Sequence, residues 1–253
     1  MSTSHAQLVG NQFGPRADAY VKSAVHAQGA DLDNLVERLR AAATSEVLDL
    51  GCGGGHVTFH VAPHVGRVTA YDLSAEMLAA VAAQCRDRGL ANVETRQGKA
   101  EVLPFPAASF DLVLSRYSAH HWHGFAQALD EVRRVLKPGG KAIFMDVISP
   151  GPALLDTYLQ TVEMLRDPSH IRDYSLAEWR AAVQGAGLKP GDAQEYRVRL
   201  EFQSWIARMN TLPLHAQAIR SLQQVMAEDV RRHFAIEADG SFTIDTMLIE
   251  AAG

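Results

Sequence analysis

The chain is poor in cysteine, with two in 253 residues, and it has neither a long apolar run nor a block of basic residues. Two cysteines cannot build the disulfide framework that staples small secreted domains. Cys52 moreover sits inside a glycine run, so a reducing, cytoplasmic setting is expected. A membrane-spanning helix needs about 18–20 consecutive apolar residues, and the sequence holds no such stretch. Nor does the opening Met1-Ser2-Thr3-Ser4-His5 carry the apolar core of a secretory signal. A net charge of −5 excludes the basic footprint of a nucleic-acid or anionic-membrane binder. Internal repeats and low-complexity tracts are also absent. The partner expected from these exclusions is a small molecule.

What is present is enough apolar material, 47% of residues, to bury one full core. Residues 1–45 read as helical, broken at Gly14-Pro15, with Leu32, Leu35, Val36 and Leu39 at helical spacing. Apolar runs then alternate with helical patterns. The runs are Glu46–Leu50, Arg67–Tyr71, Val93–Arg96, Leu112–Ser115 and Lys141–Val147. The helical patterns include Ala75–Arg88 and Ala126–Leu136, the latter closed by Lys137-Pro138-Gly139-Gly140. Such alternation is the mark of βαβ units and a parallel sheet covered on both faces. After Ser149-Pro150-Gly151-Pro152 the rhythm changes. Residues 153–187 read as mostly helical, and two further strands are expected near 193–202 and 241–250, with helix from Ser204 to Phe234 between them. The expectation is one domain: an N-terminal helical flap (1–45), a cofactor-binding core (46–148), a helical insertion or lid (149–190), and C-terminal strands and helix (191–253).

The richest stretch is Val47-Leu48-Asp49-Leu50-Gly51-Cys52-Gly53-Gly54-Gly55. A buried strand ends there in alternating glycines and then enters a helix. Glycine lets the backbone turn tightly and lets a ligand approach main-chain N–H groups. Asp49 beside the loop would repel a pyrophosphate but suits a ligand bearing an ammonium group. The next strand closes at Asp72, placed to accept hydrogen bonds from ribose hydroxyls. The third closes at Gln97-Gly98-Lys99-Ala100-Glu101, which suits an adenine edge. A dinucleotide fingerprint wants its third glycine at position 56, where this chain has His56. A nicotinamide-dependent dehydrogenase is therefore the weaker reading and S-adenosylmethionine, an adenosine with a sulfonium and an amino-acid tail, the stronger. Asp49 also has a plainer reading, as a carboxylate that caps a helix or fixes the loop.

Val47–Gly55, the Asp72 strand end, Leu103-Pro104-Phe105 with Ser109-Phe110-Asp111-Leu112-Val113, and Arg134-Val135-Leu136-Lys137-Pro138-Gly139-Gly140 resemble the successive motifs of class I S-adenosylmethionine-dependent methyltransferases. More narrowly, they resemble the small-molecule group that includes the ubiquinone/menaquinone-biosynthesis C-methyltransferases. The motif-bearing match covers about residues 45–147. The resemblance implies a doubly wound, Rossmann-like α/β fold with a seven-stranded sheet, mostly parallel, its last strand antiparallel. Phe13-Gly14 with Ala17, Ala19 and Tyr20 resembles the family's N-terminal flap. By that likeness Tyr20, Asp49, Gly51, Cys52, Gly53, Asp72, Leu73, Met77, Ala100, Glu101 and Ser115 become cofactor contacts. One departure stands out: many relatives carry an aspartate where this chain has Lys99, and a lysine cannot accept a proton from the adenine amino group.

A methyl donor of this kind is already activated, so the protein needs alignment, exclusion of water and, for a weak nucleophile, a base. The fourth strand ends in Ser115-Arg116-Tyr117-Ser118-Ala119-His120-His121-Trp122-His123. Arg116 suits a substrate carboxylate bidentately, unless it pairs with an internal acid. His120 or His121 suits proton transfer. Trp122 is expected to pack, and His123 to point away toward solvent or a helix cap. Arg116, Tyr117, His120, His121 and, from the insertion, His170 are the candidate catalytic set. His170, Arg172 and Tyr174 either reach the pocket as part of a lid or form a solvated turn. His120, Asp146 and His170 are weak candidates for a divalent metal, which would suit C-methylation of an α-keto acid. His56, His60 and His64 are expected to form a solvent-facing stripe on one helix. The expected function is methyl transfer to carbon or oxygen of a small molecule by a monomer or homodimer. A non-catalytic S-adenosylmethionine-binding module is the third reading.

Overall fold

A computed structural model describes residues 4–14, 29–39 and 45–253. In chain order the helices are α1 (His5–Phe13), α2 (Ala30–Arg38), α3 (His56–Val61), α4 (Ala75–Asp87), α5 (Phe125–Val135), α6 (Ala153–Arg166), α7 (Leu176–Gly185), α8 (Phe202–Met209), α9 (Pro213–Val225) and α10 (Glu228–His233). The strands are β1 (Glu46–Leu50), β2 (Arg67–Asp72), β3 (Val93–Gln97), β4 (Phe110–Arg116), β5 (Leu136–Val147), β6 (Lys189–Leu200) and β7 (Phe242–Ala252). They form one seven-stranded sheet in the order β3-β2-β1-β4-β5-β7-β6. All are parallel except β7, which runs antiparallel between β5 and β6. The expected doubly wound sheet is therefore the observed one.

Local chemistry explains each element. Val47, Leu48 and Leu50 are buried on both faces of β1, as a central parallel strand requires. In α5 the buried Phe125, Ala128, Leu129, Val132 and Val135 recur at helical spacing and cover one sheet face. Each large apolar side chain removed from water there is worth about 1.5–3 kcal/mol. Ser74 caps α4 by accepting from the Met77 N–H, and Ser175 with Glu178 forms a reciprocal capping box on α7. On the opposite sheet face, Leu32 and Leu35 of α2 pack with Val47, Val57 and Leu114.

One boundary moves. Lys137–Gly140 is not a terminator outside the sheet but lies within β5. Phe110 pairs with Leu136 and Leu112 with Lys141, so the glycine pair loops out of register there, with Gly139 at φ +77°. The position that matters for function is the β1/β4 boundary. Going outward from β1 the chain runs through β2 and β3 on one side and β4 and β5 on the other. The crevice between the β1 and β4 tips is thus the topological switch point where such sheets bind ligands.

Candidate functional site

A cavity of about 500 Å³ opens at that switch point, a size usual for a small-molecule or cofactor site. Its floor is the β1 tip with Asp49, Gly51, Cys52 and Gly53, and one wall is the β2 tip with Asp72 and Leu73, followed by Met77 at the start of α4. A second wall is the segment after β3, with Gly98 to Val102, and a third is the turn after β4, with Tyr117, Ser118, His121 and Trp122. Helix α1 closes over it with Ala6, Val9 and Phe13. The cofactor contacts expected from sequence therefore converge, with two exceptions. Ser115 is 2% exposed and does not line the cavity; its hydroxyl is buried in β4. Tyr20, with Ala17 and Ala19, lies outside the described residues.

The glycine loop is built as its chemistry demands. Gly51 takes φ +73°, and a Cβ there would overlap the Ser118 side chain of the turn after β4. Gly55 takes φ +82°, and a Cβ there would stand 2.7 Å from Phe59 and 2.8 Å from Val81. Gly55 thus allows α3 and α4 to pack closely against the end of the loop. His56 is buried and lines the cavity, while His60 Nδ1 donates to the His56 carbonyl at 2.8 Å and His64 is exposed. The three do not form a solvent-facing stripe, because His56 is buried against the cavity and α3 ends at Val61, before His64.

Two carboxylates stand at neighbouring strand tips. Asp49 is 1% exposed. Its Oδ2 accepts from the Thr58 N–H at 3.0 Å and from Thr58 Oγ1 at 2.6 Å. Its Oδ1 is buried with no hydrogen bond from a described residue. Burial pushes its carboxyl up to about 7, against the lowering effect of the Thr58 bonds. Asp72 accepts from the Gly53 N–H at 2.8 Å and from the Ser74 N–H at 2.9 Å, so it also shapes the loop. Burial raises its pKa too, opposed by those backbone bonds. Each of its oxygens keeps a second lone pair for a ligand. The Cys52 thiol is pushed well up by burial, which keeps it protonated and inert.

The reacting end differs more from expectation. The Arg116 fork is occupied by Asp31 of α2, with Nε to Oδ2 at 2.5 Å and Nη2 to Oδ1 at 3.2 Å, both groups buried. Its guanidinium also lies 4.5 Å over the Tyr117 ring. It is a structural partner of α2 rather than a clamp open to substrate. Tyr117 sits at φ +51°, rare for a bulky residue and costing about 1–3 kcal/mol. That conformation turns the chain sharply beneath the cavity, and burial pushes the phenol up to about 12.

His120 and His170 do not line the cavity. His120 Nδ1 bonds Asp146 Oδ1 at 2.6 Å, while the other Asp146 oxygen accepts from the Ala119 N–H at 2.9 Å. The His120 carbonyl accepts from the Ile171 and Arg172 N–H groups, docking the insertion. His170 is buried, its Nε2 2.9 Å from Gln160 Oε1. Because these donors are turned toward internal partners, His120, Asp146 and His170 do not form an open ligand set. Among the described residues no group of three metal-ligating side chains is arranged to hold an ion. Arg172 pairs with Asp156 and Glu178, and Tyr174 stacks on Phe125 at 3.9 Å, so the insertion run braces the core instead of reaching the pocket.

His121 does line the cavity. Trp122 packs as expected, its Nε1 donating to Ser118 Oγ at 3.1 Å. His123 is exposed but stands at the cavity mouth, its ring 5.9 Å from that of His5. His5, Val9, Gln127 and Asp31 were not foreseen, whereas Phe13 belongs to the N-terminal flap that the resemblance implies. The signal for His5 and Val9 was their spacing on a short amphipathic helix, and nothing local marks Asp31.

Comparison with known proteins agrees with this geometry. Residues 48–144 match the methyltransferase domain family. Over 201 residues the chain is 49% identical to the uncharacterized protein YafE of Escherichia coli (strain K12), covering 79% of this chain and 97% of that relative. It is 33% identical over 243 residues to YcgJ, an uncharacterized methyltransferase of Bacillus subtilis (strain 168), covering 94% and 96% of the two chains. The crystal structure of YcgJ matches with a TM-score of 0.84 at 32% identity, covering 88% of this chain and 97% of that one. A demethylmenaquinone methyltransferase of Lactococcus lactis is 36% identical over 121 residues, 47% of each chain. The chain belongs to the class I S-adenosylmethionine-dependent methyltransferases. That assignment sets aside the dehydrogenase and the non-catalytic binding module.

Proposed function

We propose that the protein methylates an uncharged small molecule at carbon or oxygen. The observation that carries this reading is that Asp49 and Asp72 at two neighbouring strand tips and His121 of the turn after β4 line one cavity. The unpartnered Asp49 Oδ1 suits the ammonium of the cofactor's amino-acid tail, and Asp72 suits the ribose hydroxyls. Met77, Leu73 and Ala100 offer apolar contact to the adenine, and Glu101 stands at its edge. Glu101 Oε1 accepts from the Gly124 N–H at 3.0 Å, and Lys99 lines the same wall. S-adenosylmethionine supplies a methyl group already activated on a sulfonium. The residues around it hold it in line with the acceptor and exclude water, with α1 as the cover.

Charge argues for a neutral acceptor. Among the described residues, Asp49, Asp72 and Glu101 line the cavity with Lys99, and the arginine there, Arg116, pairs with Asp31. A polyanionic substrate would meet three acids, with the Arg116 fork already engaged. For the same reason no observation favours an α-keto acid bound through Arg116. The demethylmenaquinone methyltransferase relative is, by its name, an enzyme of a quinone precursor, which fits an enolisable or phenolic acceptor. Both cysteines are free, which fits a reducing compartment, and we place the enzyme in the cytoplasm. No described helix is long and apolar enough to cross a membrane.

The test is calorimetry with S-adenosylmethionine, S-adenosylhomocysteine and NAD, followed by turnover against phenols, quinols, enolisable ketones and α-keto acids, with and without chelator. Turnover confined to anionic acceptors would overturn the neutral-acceptor reading.

A further inference from the structure

The methyl-acceptor reading leaves one demand unmet: a hydroxyl or an enolisable carbon must lose a proton inside a covered pocket. Three histidines crowd the turn after β4 and the insertion, and the structure separates their roles. His120 and His121 have ring centroids 4.3 Å apart, yet only His121 faces the cavity. Its Nδ1 lies 3.1 Å from the Ser169 carbonyl oxygen. A carbonyl only accepts, so Nδ1 carries the proton and the lone pair sits on Nε2. No described residue hydrogen-bonds Nε2; the nearest anion is Asp167 Oδ2 at 3.9 Å. Phe13 of α1 packs edge-on against the ring at 5.0 Å, shielding it from bulk water.

We propose that His121 is the catalytic base for the acceptor's proton, with the His120–Asp146 pair as its positioning element; this rests on the methyl-transfer reading above. His121 Nε2 takes the proton from the acceptor's O–H or activated C–H. The freed electron pair forms the bond to the methyl carbon, and the carbon–sulfur bond breaks with its electrons remaining on sulfur. The resulting imidazolium lies against the Asp167 carboxylate and the Ser169 carbonyl until product release returns the proton to water.

The surrounding charges keep His121 neutral at rest, and Asp167 is the anion that offsets its charge once protonated. His120, fixed on Asp146 of β5, faces His121 from its own turn; Asp167 faces it from the insertion, where the His170 ring lies 5.9 Å from that of His120, and His5 of α1 shares the Ser169 carbonyl at 2.9 Å. Burial pulls His120 down, but the charge and hydrogen bond of Asp146, with Asp173 and Glu163, reverse this and hold it near 9. Burial and the charged His120 push His121 down to about 4, so it rests as the neutral base. Burial first, and then the two neighbouring imidazoles, lower His170 to about 2.

The test is 15N NMR of the histidine-labelled full chain saturated with S-adenosylhomocysteine and titrated across neutral pH. The expected result is a neutral His121 with the proton on Nδ1 beside a charged His120. A His121 that is imidazolium near pH 7, or that carries its proton on Nε2, overturns the proposal. A second arm uses 1,4-naphthoquinol as acceptor. His121→Gln should lower kcat about a hundredfold or more with S-adenosylhomocysteine affinity unchanged. His120→Gln should shift the pH–rate profile, an effect that lost packing alone does not produce. Unchanged kcat in His121→Gln overturns the base assignment while leaving the methyltransferase reading intact. Lost cofactor binding in the unmutated chain would instead overturn that underlying reading. If naphthoquinol is not turned over, the NMR arm decides.

Discussion

The two ends of the cavity are built by different means. The end we assign to the cofactor is made of three strand tips whose chemistry is local. Asp49 is answered by Thr58 nine residues on, Asp72 by Gly53 and Ser74, and Gly51 and Gly55 turn the chain between them. The acceptor end is made of contacts across the whole chain. Arg116 meets Asp31, His120 meets Asp146, and His121 meets Ser169 and Phe13. The first end needs backbone geometry that only the parallel sheet supplies. The second needs several distant segments to dock at once, which makes it the more variable part of such an enzyme.

That contrast can be broken experimentally, beginning with the largest effect. Arg116→Ala leaves Asp31 as a buried, unmatched carboxylate. It should destabilise the fold by about 3–5 kcal/mol, read by denaturant unfolding. An Arg116→Met, Asp31→Leu double variant should recover much of that loss. A double variant no better than the single one would show that the pair itself does not fasten α2.

Asp72→Ala removes a charged acceptor and should weaken S-adenosylhomocysteine binding by about 1.5–3 kcal/mol in calorimetry, with little change in acceptor selectivity. Equal affinity would remove Asp72 from the cofactor end. Gly51→Ala places a methyl on the Ser118 side chain at a positive φ and should cost about 1–3 kcal/mol. Ser118→Gly should relieve the steric part only, leaving the strain of the backbone.

The pH response of the cofactor end follows from Asp49. Its native pKa, about 7, lies above the ordinary carboxylate value. Proton binding therefore stabilises the ligand-free fold at low pH, and this contribution is lost as pH rises through about 7. The ligand's ammonium prefers the charged carboxylate, so affinity for S-adenosylhomocysteine should rise roughly five- to tenfold between about pH 6 and pH 7.5. Asp49→Asn should flatten that slope; a slope retained in the variant would assign it elsewhere. The smallest effect belongs to the cover. His5→Ala removes one hydrogen bond to Ser169, worth about 0.5–1.5 kcal/mol. It should speed hydrogen exchange in α1 without altering exchange in β1.

Seven strands, their mostly parallel order and the acids and glycines that line the switch-point cavity were legible in the sequence. Buried parallel strands are runs of apolar residues, and a glycine-rich turn after such a run has few other uses. The C-terminal strands were placed within a few residues, although β6 begins at Lys189 and β7 ends at Ala252. The acceptor end was legible only in residue type. His120 and His121 are adjacent and chemically identical, and no periodicity tells which one faces a cavity. The turn settles it: Tyr117 at φ +51° and the short 3-10 turn Ala119–His121 send one imidazole to Asp146 and the other to the pocket.

The sequence by itself determined the layered α/β architecture, the switch-point crevice and the two acids at its strand tips, because each rests on patterns a few residues long. The tertiary structure alone decided that Arg116 is matched by Asp31, that His170 faces inward, that Ser115 leaves the site and that α1 roofs the cavity. Those outcomes depend on which distant groups share a small buried volume. There a charge must find a partner or be neutralised, and local pattern holds no record of the partner it finds.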